Sequence, residues 1–256
     1  MSHALASDRQ RYILQKIAAE GSVITLDLSR ALLVSSETIR RDLIALEKRA
    51  LVKRVYGGAV APTAPRGSEP PFRQRLDANA AAKQHIGNLA AQLAEASQSI
   101  FLDVGTTASS VAQALAARSK ATVATHSLLV AQALAEAPHS ETLLAPGRLR
   151  PGEWSVTGST TLDFLSHMHF DIAFLSCGGV DGANGATDFN LDDVSIKQTV
   201  ARNSKQAFIL ADATKHLVVG TYDVANWFDL SGLITDQKPP EGIVTAIRNS
   251  GGVIHF

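Results

Sequence analysis

Three things are scarce in this chain of 256 residues: cysteine, net charge and long apolar runs. The one cysteine, Cys177, excludes an internal disulfide and a cysteine-based zinc cage. No run approaches the roughly 20 apolar residues of a membrane-crossing helix, so no membrane partner is expected. Asp8, Arg9 and Arg11 precede any apolar run, which argues against a secretory signal peptide. With cysteine so scarce, a cytoplasmic protein is expected. There is no internal repeat, and a short Ala-rich run near 78–82 is the nearest approach to low complexity. Apolar residues at 45% and charged residues at 19% describe a soluble globular chain, long enough to bury a full core.

The missing net charge is a cancellation. The first 60 residues hold 10 Lys and Arg against 6 Asp and Glu, and the rest hold 14 against 18. A basic small end on an acidic large end points to a polyanion partner for the first part only. The stretch VSSETIRRDLIALEKRALVKRVYGGA, 34–59, concentrates six basic and three acidic side chains.

Four prolines in 61–71, APTAPRGSEPP, read as a semi-rigid linker. The expected layout is a small domain over 1–60, a linker over 61–75 and a larger domain over 76–256. Ahead of the linker, Ile13, Leu14 and Ile17 have helical spacing over 9–19, with Gly21 as the stop. A short second helix is expected over 25–32, carrying Leu28 and Leu32. A third, from 36 to about 49, turns Ile39, Leu43 and Leu46 inward, and Ser35 is placed to cap it. The run LVKRVYGGAV then turns at Gly57-Gly58 as a small β-ribbon. Beyond the linker, apolar runs at 99–104, 121–125, 141–145, 171–176 and 206–211 read as buried strands. Helical segments lie between them, near 107–118, 127–136, 158–167 and 191–203. Such alternation implies an α/β fold with a mostly parallel sheet covered on both faces.

Two helices joined by a tight turn, the second capped and basic at its start, form a helix-turn-helix arrangement. Its second helix would bring Ser35, Ser36, Glu37, Thr38, Arg40 and Arg41 to the major groove. Lys53 and Arg54 in the ribbon would follow the DNA backbone as a wing. A solvated charged helix with a Glu37–Arg41 pair fits the same residues.

The stretch also resembles the N-terminal winged helix of the DeoR family of bacterial transcriptional regulators. The resemblance is carried by Val34-Ser35, Thr38-Ile39-Arg40-Arg41-Asp42-Leu43, Leu46, Leu51, Arg54 and Gly57-Gly58-Ala59. It implies a winged helix-turn-helix that binds operator DNA. Leu33 departs from the pattern, because the turn there often has a small or polar residue.

LDVGTT, 102–107, puts Gly105, Thr106 and Thr107 where a strand turns into a helix. Hydroxyls and free N–H groups at a helix start suit an anion, and a plain connection fits as well. The resemblance extends here, because the DeoR-family sensor domain is similar to sugar-phosphate isomerases of the ribose-5-phosphate isomerase type. It implies a phosphate loop at Gly105, Thr106 and Thr107, with Lys197 adding charge. It implies a second ligand loop at 125–127 with His126 and Ser127, and a third at 177–188 with Gly179 and Asp181. Asp103, His126 and Asp181 would contact or orient the hydroxylated part of a phosphorylated sugar or related metabolite. ADATKH, 211–216, and LITD, 233–236, look like late family motifs. His126 stands where the family commonly has Asn, which points to a different effector.

Those isomerases usually carry Asp-Gly-Ala-Asp-Glu after the strand that corresponds to 171–176. Here the residues are Cys177-Gly178-Gly179-Val180-Asp181, and the glycine-rich Lys motif is missing after Lys197. The pocket therefore reads as binding without catalysis. Two alternatives stay open: an isomerase-like enzyme with an accessory DNA-binding domain, and an architectural DNA-binding protein with a vestigial sensor. No cofactor and no metal are expected. His167-x-His169 lacks a third ligand, and Asp181, Asp188, Asp192 and Asp193 fit no calcium loop. Cys177 reads as a small buried residue. The expectation is a regulator, a repressor of a carbohydrate operon, acting as a dimer or tetramer because one winged helix covers too little DNA.

Overall fold

The computed structural model describes residues 6–20, 22–49, 51–55, 57–60, 69, 71–116, 120–135, 137 and 141–256. The chain divides into two units, Met1–Arg66 and Gly67–Phe256. Expectations that fall on Gly21, on 61–68 and Pro70, on 117–118 and on Glu136 lie outside the described residues.

The first unit runs α1 (Ala6–Glu20), β1 (Ser22–Ile24), α2 (Thr25–Ala31), α3 (Ser36–Lys48), β2 (Lys53–Val55) and β3 (Gly58–Val60). The apolar spacing closes its core: Ile13, Ile17, Leu28, Ile39, Leu43 and Leu46 are buried against one another with Val23, Val52 and Ala59. Each such aliphatic side chain contributes about 1.5–3 kcal/mol by leaving water. The strands pair antiparallel in the order β1-β3-β2, so the wing is tied back to the segment between α1 and α2. Ser35 Oγ accepts from the backbone N–H of Thr38 at 3.1 Å and starts α3. Leu33 sits in the turn at φ 53° and is 82% exposed, a left-handed backbone that a Cβ-bearing residue adopts at a cost. Asp42, inside the TIRRDL motif, is buried and receives Arg9 Nε at 2.8 Å, locking α3 to α1.

The larger unit begins earlier than expected. The linker was placed over 61–75, but α4 (Phe72–Asp77) starts inside that range with Phe72 buried. Pro71 stands at the N-cap of this helix, with an extended backbone. Proline there costs no helical hydrogen bond, so Pro71 introduces a helix. Then follow α5 (Ala80–Leu93), β4 (Ser99–Leu102), α6 (Thr106–Ala116), β5 (Thr122–Thr125), α7 (Leu128–Leu134) and β6 (Glu141–Leu144). A hairpin of β7 (Arg148–Arg150) and β8 (Ser155–Thr157) leads to α8 (Ser159–Ser166) and β9 (Phe170–Ser176). After these come β10 (Gly179–Asp181), β11 (Gly185–Asp188), α9 (Leu191–Arg202), β12 (Ser204–Leu210) and β13 (Tyr222–Ala225). The unit ends with β14 (Gly232–Ile234), α10 (Glu241–Asn249) and β15 (Val253–His255).

Among the described residues, seven strands form one sheet in the order β15-β14-β12-β9-β4-β5-β6, every pair parallel. Side chains alternate between two cores, as the strand period requires. Ile100 and Leu102, Ile172 and Phe174, Phe208 and Leu210 face α5, α6 and α7. Phe101, Ala173 and Leu175, Ala207 and Ile209 face the opposite core, with residues of α8, α9 and α10. From β4 the chain moves outward to β5 and β6, whereas β9, β12, β14 and β15 extend the other side. The order reverses between β4 and β9, and crevices for ligands form at the carboxyl ends of strands at such a switch point. A small antiparallel sheet, β10-β11-β13, stands beside this end.

Candidate functional site

In the first unit, Ile39, Leu43 and Leu46 point α3 inward and leave its other face in solvent. Arg40 and Arg41 have side chains 67% and 79% exposed, each 3.7 Å from Glu37. Ion pairs this exposed are weak, so both guanidiniums can be redirected. Ser36 and Thr38 are half-buried and Glu37 is exposed. The Ser35 hydroxyl is engaged with Thr38, through its N–H and its Oγ1 at 2.9 Å. Lys53 and Arg54 lie exposed on β2, and Arg54 N donates to Glu47 Oε1 at 2.9 Å.

In the larger unit, Asp103 follows β4 at the switch point and is fully buried. Its Oδ2 accepts from the Ser176 N–H at 2.9 Å and the Ser176 hydroxyl at 2.7 Å, across the gap to β9. Its Oδ1 meets His126 Nε2 at 2.8 Å. His126 Nδ1 faces the Val156 carbonyl at 3.0 Å. Both ring nitrogens thus face oxygen atoms, which fixes the plane of the ring. Lys197, on α9 and also fully buried, lies 3.5 Å from Asp103 and donates to Asp188. Burial alone would push the Asp103 carboxyl up. The Lys197 ammonium, with the His126 and Ser176 hydrogen bonds, outweighs it and holds the group well below the usual carboxylate range. Burial alone would likewise pull Lys197 down, and Asp103, Asp188 and Asp193 hold it above the ordinary range. Asp193, one helical turn before Lys197, is ion-paired with Arg150. Its burial still wins over Lys197 and Arg150, and its carboxyl is shifted upward.

Gly105 links this anchored floor to α6. Its φ of +114° is a backbone that favours glycine, and Ser109 N donates to its carbonyl at 3.0 Å to open the helix. Thr106 is buried and Thr107 half-buried at the first turn, where backbone N–H groups lack helical partners. Ser127 caps α7, accepting from Val130 N at 3.3 Å.

The structure brings together Asp103, His126 and Lys197 on the floor, with Val104 and Gly105 leading from Asp103 into Thr106 and Thr107. Gly179 and Asp181, expected to join them, make contacts of their own on β10. A Cβ on Gly179 would lie 2.2 Å from the Val218 carbonyl oxygen, so glycine is needed there for packing. The Asp181 carboxylate accepts from the Ala183 and Asn184 N–H groups and from the Asn184 side chain, closing the β10–β11 turn. The sequence gives no sign of Arg150 and Ser176, and Asp188 and Asp193 are weighed there only against a calcium loop. The Arg150–Asp193 and Ser176–Asp103 contacts span 43 and 73 residues and leave no local signature. Cys177 is buried, its thiol pushed up to about 12 by that burial, which leaves it unreactive. His167 and His169 are exposed, with His167 3.6 Å from Asp163. Among the described residues no group of three or more His, Cys, Asp or Glu side chains could hold a metal ion. No described helix is long and apolar enough to cross a membrane.

Comparison with known proteins adds to this geometry. Residues 9–64 match the DeoR-like helix-turn-helix domain, and residues 78–237 match the DeoR C terminal sensor domain. The HTH-type transcriptional regulator GolR of Listeria innocua is 30% identical, over 95% of this chain and 96% of that one. The glycerol-3-phosphate regulon repressor of Escherichia coli is 28% identical, over 95% of this chain and 96% of that one. Among solved structures, a ribose 5-phosphate isomerase A from Methanocaldococcus jannaschii has 15% identity and a TM-score of 0.40, covering 54% of this chain and 55% of that one.

Proposed function

The chain belongs to the DeoR family, with the family's helix-turn-helix and sensor domains in order, and on that basis we propose that it is a cytoplasmic, homo-oligomeric repressor of an operon for carbohydrate or polyol use, released from operator DNA by a phosphorylated metabolite. Arg40 and Arg41 read base edges or phosphates, with Ser36, Glu37 and Thr38 beside them. Lys53 and Arg54 follow the DNA backbone, and Ser35 holds the start of α3. Arginine suits this task because its planar fork matches both guanine edges and phosphate.

One observation carries the sensor reading: the Gly105–Thr107 turn opens a helix at the switch point, on a floor fixed by Asp103. The N–H groups and hydroxyls of this turn take the phosphate. Asp103, His126 and Lys197 are spent on one another, so they hold the loop in place and do not touch the phosphate. The Glycerol-3-phosphate regulon repressor supports a phosphorylated effector by its name. Isomerase chemistry draws no support from this cluster. An isomerase needs an acid–base pair open to its substrate, whereas Asp103 and Asp188 are held by cations and Asp181 closes a turn.

An effector releases DNA only if it binds the operator-bound and free states with different affinity. Thr107→Val removes a hydroxyl from the loop and leaves α3 untouched. It is expected to keep operator affinity and lose most of the response to sugar phosphates in a DNA-binding titration. A variant that responds as well as the wild type contradicts the loop assignment.

A further inference from the structure

Among the described residues, three buried side-chain polar atoms lack a hydrogen-bond partner: Thr142 Oγ1, Ser155 Oγ and Asp193 Oδ1. The last two belong to one place. Ser155 pairs with Arg150 across the β7–β8 hairpin, and cross-strand partners present their side chains on the same face. On that face Arg150 reaches over to Asp193 and engages its other oxygen, Oδ2. Asp193 and Lys197 lie four residues apart on α9, hence on one side of that helix. Ser155 bridges to Ser127, and the next residue, Val156, offers its carbonyl to His126. The hairpin and the first turn of α9 therefore form a wall that rises directly from the charged floor. Arg150, its side chain a quarter exposed, is the solvent edge of this wall.

A buried polar atom without a partner costs stability, and such atoms are rare in folded chains. Two on one wall, beside a floor in which every carboxylate is matched, mark a surface that a ligand completes. We propose that Arg150, Ser155 and Asp193 are the residues that read ligand hydroxyl groups, and that the effector carries at least two hydroxyls beyond its phosphate. The chemistry separates the two ends of such a ligand. A carboxylate oxygen needs a donor, a serine hydroxyl both gives and accepts, and a ligand hydroxyl serves either. A phosphate would be repelled by Asp193, so it belongs at the Gly105–Thr107 turn, and the hydroxylated end belongs here. Burial that keeps the Asp193 carboxyl above its ordinary range extends its use to donating as well. This assignment rests on the phosphate-loop reading above.

The test uses the purified full-length chain and calorimetric titration with glycerol 3-phosphate, ribose 5-phosphate, fructose 6-phosphate, inorganic phosphate, and glycerol, ribose and fructose. At least one organic phosphate is expected to bind more tightly than inorganic phosphate. Ser155→Ala should weaken that compound about tenfold, the effect of losing one hydrogen bond, and leave inorganic phosphate unchanged. Its melting temperature without ligand should be equal to or above that of the wild type, since the substitution removes an unpartnered buried hydroxyl. Asp193→Asn should show the same selectivity, and Ser155→Ala decides the matter if that variant folds poorly. If neither variant changes the preference for the organic phosphate, the two atoms serve only water and the proposal falls. It also falls if inorganic phosphate binds as tightly as every organic phosphate, while the phosphate loop stands. If unphosphorylated compounds bind as well as their phosphates and depend on Ser155 but not Thr107, the hydroxyl wall stands and the phosphate loop falls. Failure of every compound to bind removes both.

Discussion

Lys197 shows how far a residue's neighbours decide its role. The sequence places a lysine on a helix near a ligand. The fold surrounds it with Asp103 and Asp188 and seals it from water. Removing one partner of a buried ion pair strands the others, so Lys197→Met is expected to cost about 3–5 kcal/mol of stability in denaturant unfolding. A cost below about 1 kcal/mol would show that the carboxylates are solvated after all. The pH dependence follows from the same groups. The folded Asp103 carboxyl lies below its ordinary 3.8, so its contribution is present above that value and is lost as pH falls through the folded one. The folded Lys197 ammonium lies above its ordinary 10.5, so its contribution is present below that value and is lost as pH rises beyond it. This pair therefore supports the fold evenly from about pH 5 to about pH 9. Asp193 acts in the opposite sense: raised above 3.8, it favours the folded state as it becomes protonated. Unfolding measured against pH should show a gain for the wild type on moderate acidification that Asp193→Asn lacks. Identical profiles would mean that Asp193 is not held above its ordinary value.

At the scale of elements, α3 depends on its first turn. Ser35→Ala removes the cap of Thr38 N and should cost about 1 kcal/mol, read from thermal unfolding of the helix-turn-helix. Leu33→Gly should stabilise the same unit by up to about 1 kcal/mol, because glycine adopts φ 53° without strain. Destabilisation by that change would mean that the exposed leucine is held by something other than the turn. Helix α4 hangs on Lys83, a buried lysine of α5 that donates to the Arg75 and Ala78 carbonyls at the end of α4. Lys83→Met should therefore speed amide exchange across 72–77 while β4 and β9 stay protected. The longer elements were legible in the sequence because periodicity needs length. SIFL, DIAFLS and QAFIL carry enough apolar residues to declare a two-faced strand, and Ile39, Leu43 and Leu46 declare the inner side of α3. Three-residue strands such as β8, β10 and β14 are too short to show a period. Pro71 reads as part of a spacer, and nothing local says that Phe72 finds a core. The glycine turn could be read because Gly105, Thr106 and Thr107 adjoin in sequence, whereas Asp103 entered through the family resemblance. The Arg150–Asp193 pair spans 43 residues and could not. The Asp181 turn was open to a better reading, since Asp-Gly followed by Asn-Gly is turn chemistry before it is ligand chemistry.

The whole molecule joins a basic reading head to an acidic sensor, which is why its formal charge sums to zero. Operator affinity should fall steeply with salt, as lysine and arginine contacts to phosphates release counterions. A flat salt titration would remove helix and wing from the interface. Arg40→Ala or Arg41→Ala should each cost about 1–3 kcal/mol of operator affinity if the side chain reads a base edge. In the proposed function one chain reads DNA and is released by a phosphorylated compound. The most direct measurement is fluorescence anisotropy of the full-length protein on the DNA upstream of its own gene, repeated with sugar and polyol phosphates and their unphosphorylated forms. Tight, sequence-specific binding is expected, relieved by a phosphorylated compound and not by its unphosphorylated form. Specific binding indifferent to every phosphorylated compound, or no preference for that DNA at all, would contradict the proposed function.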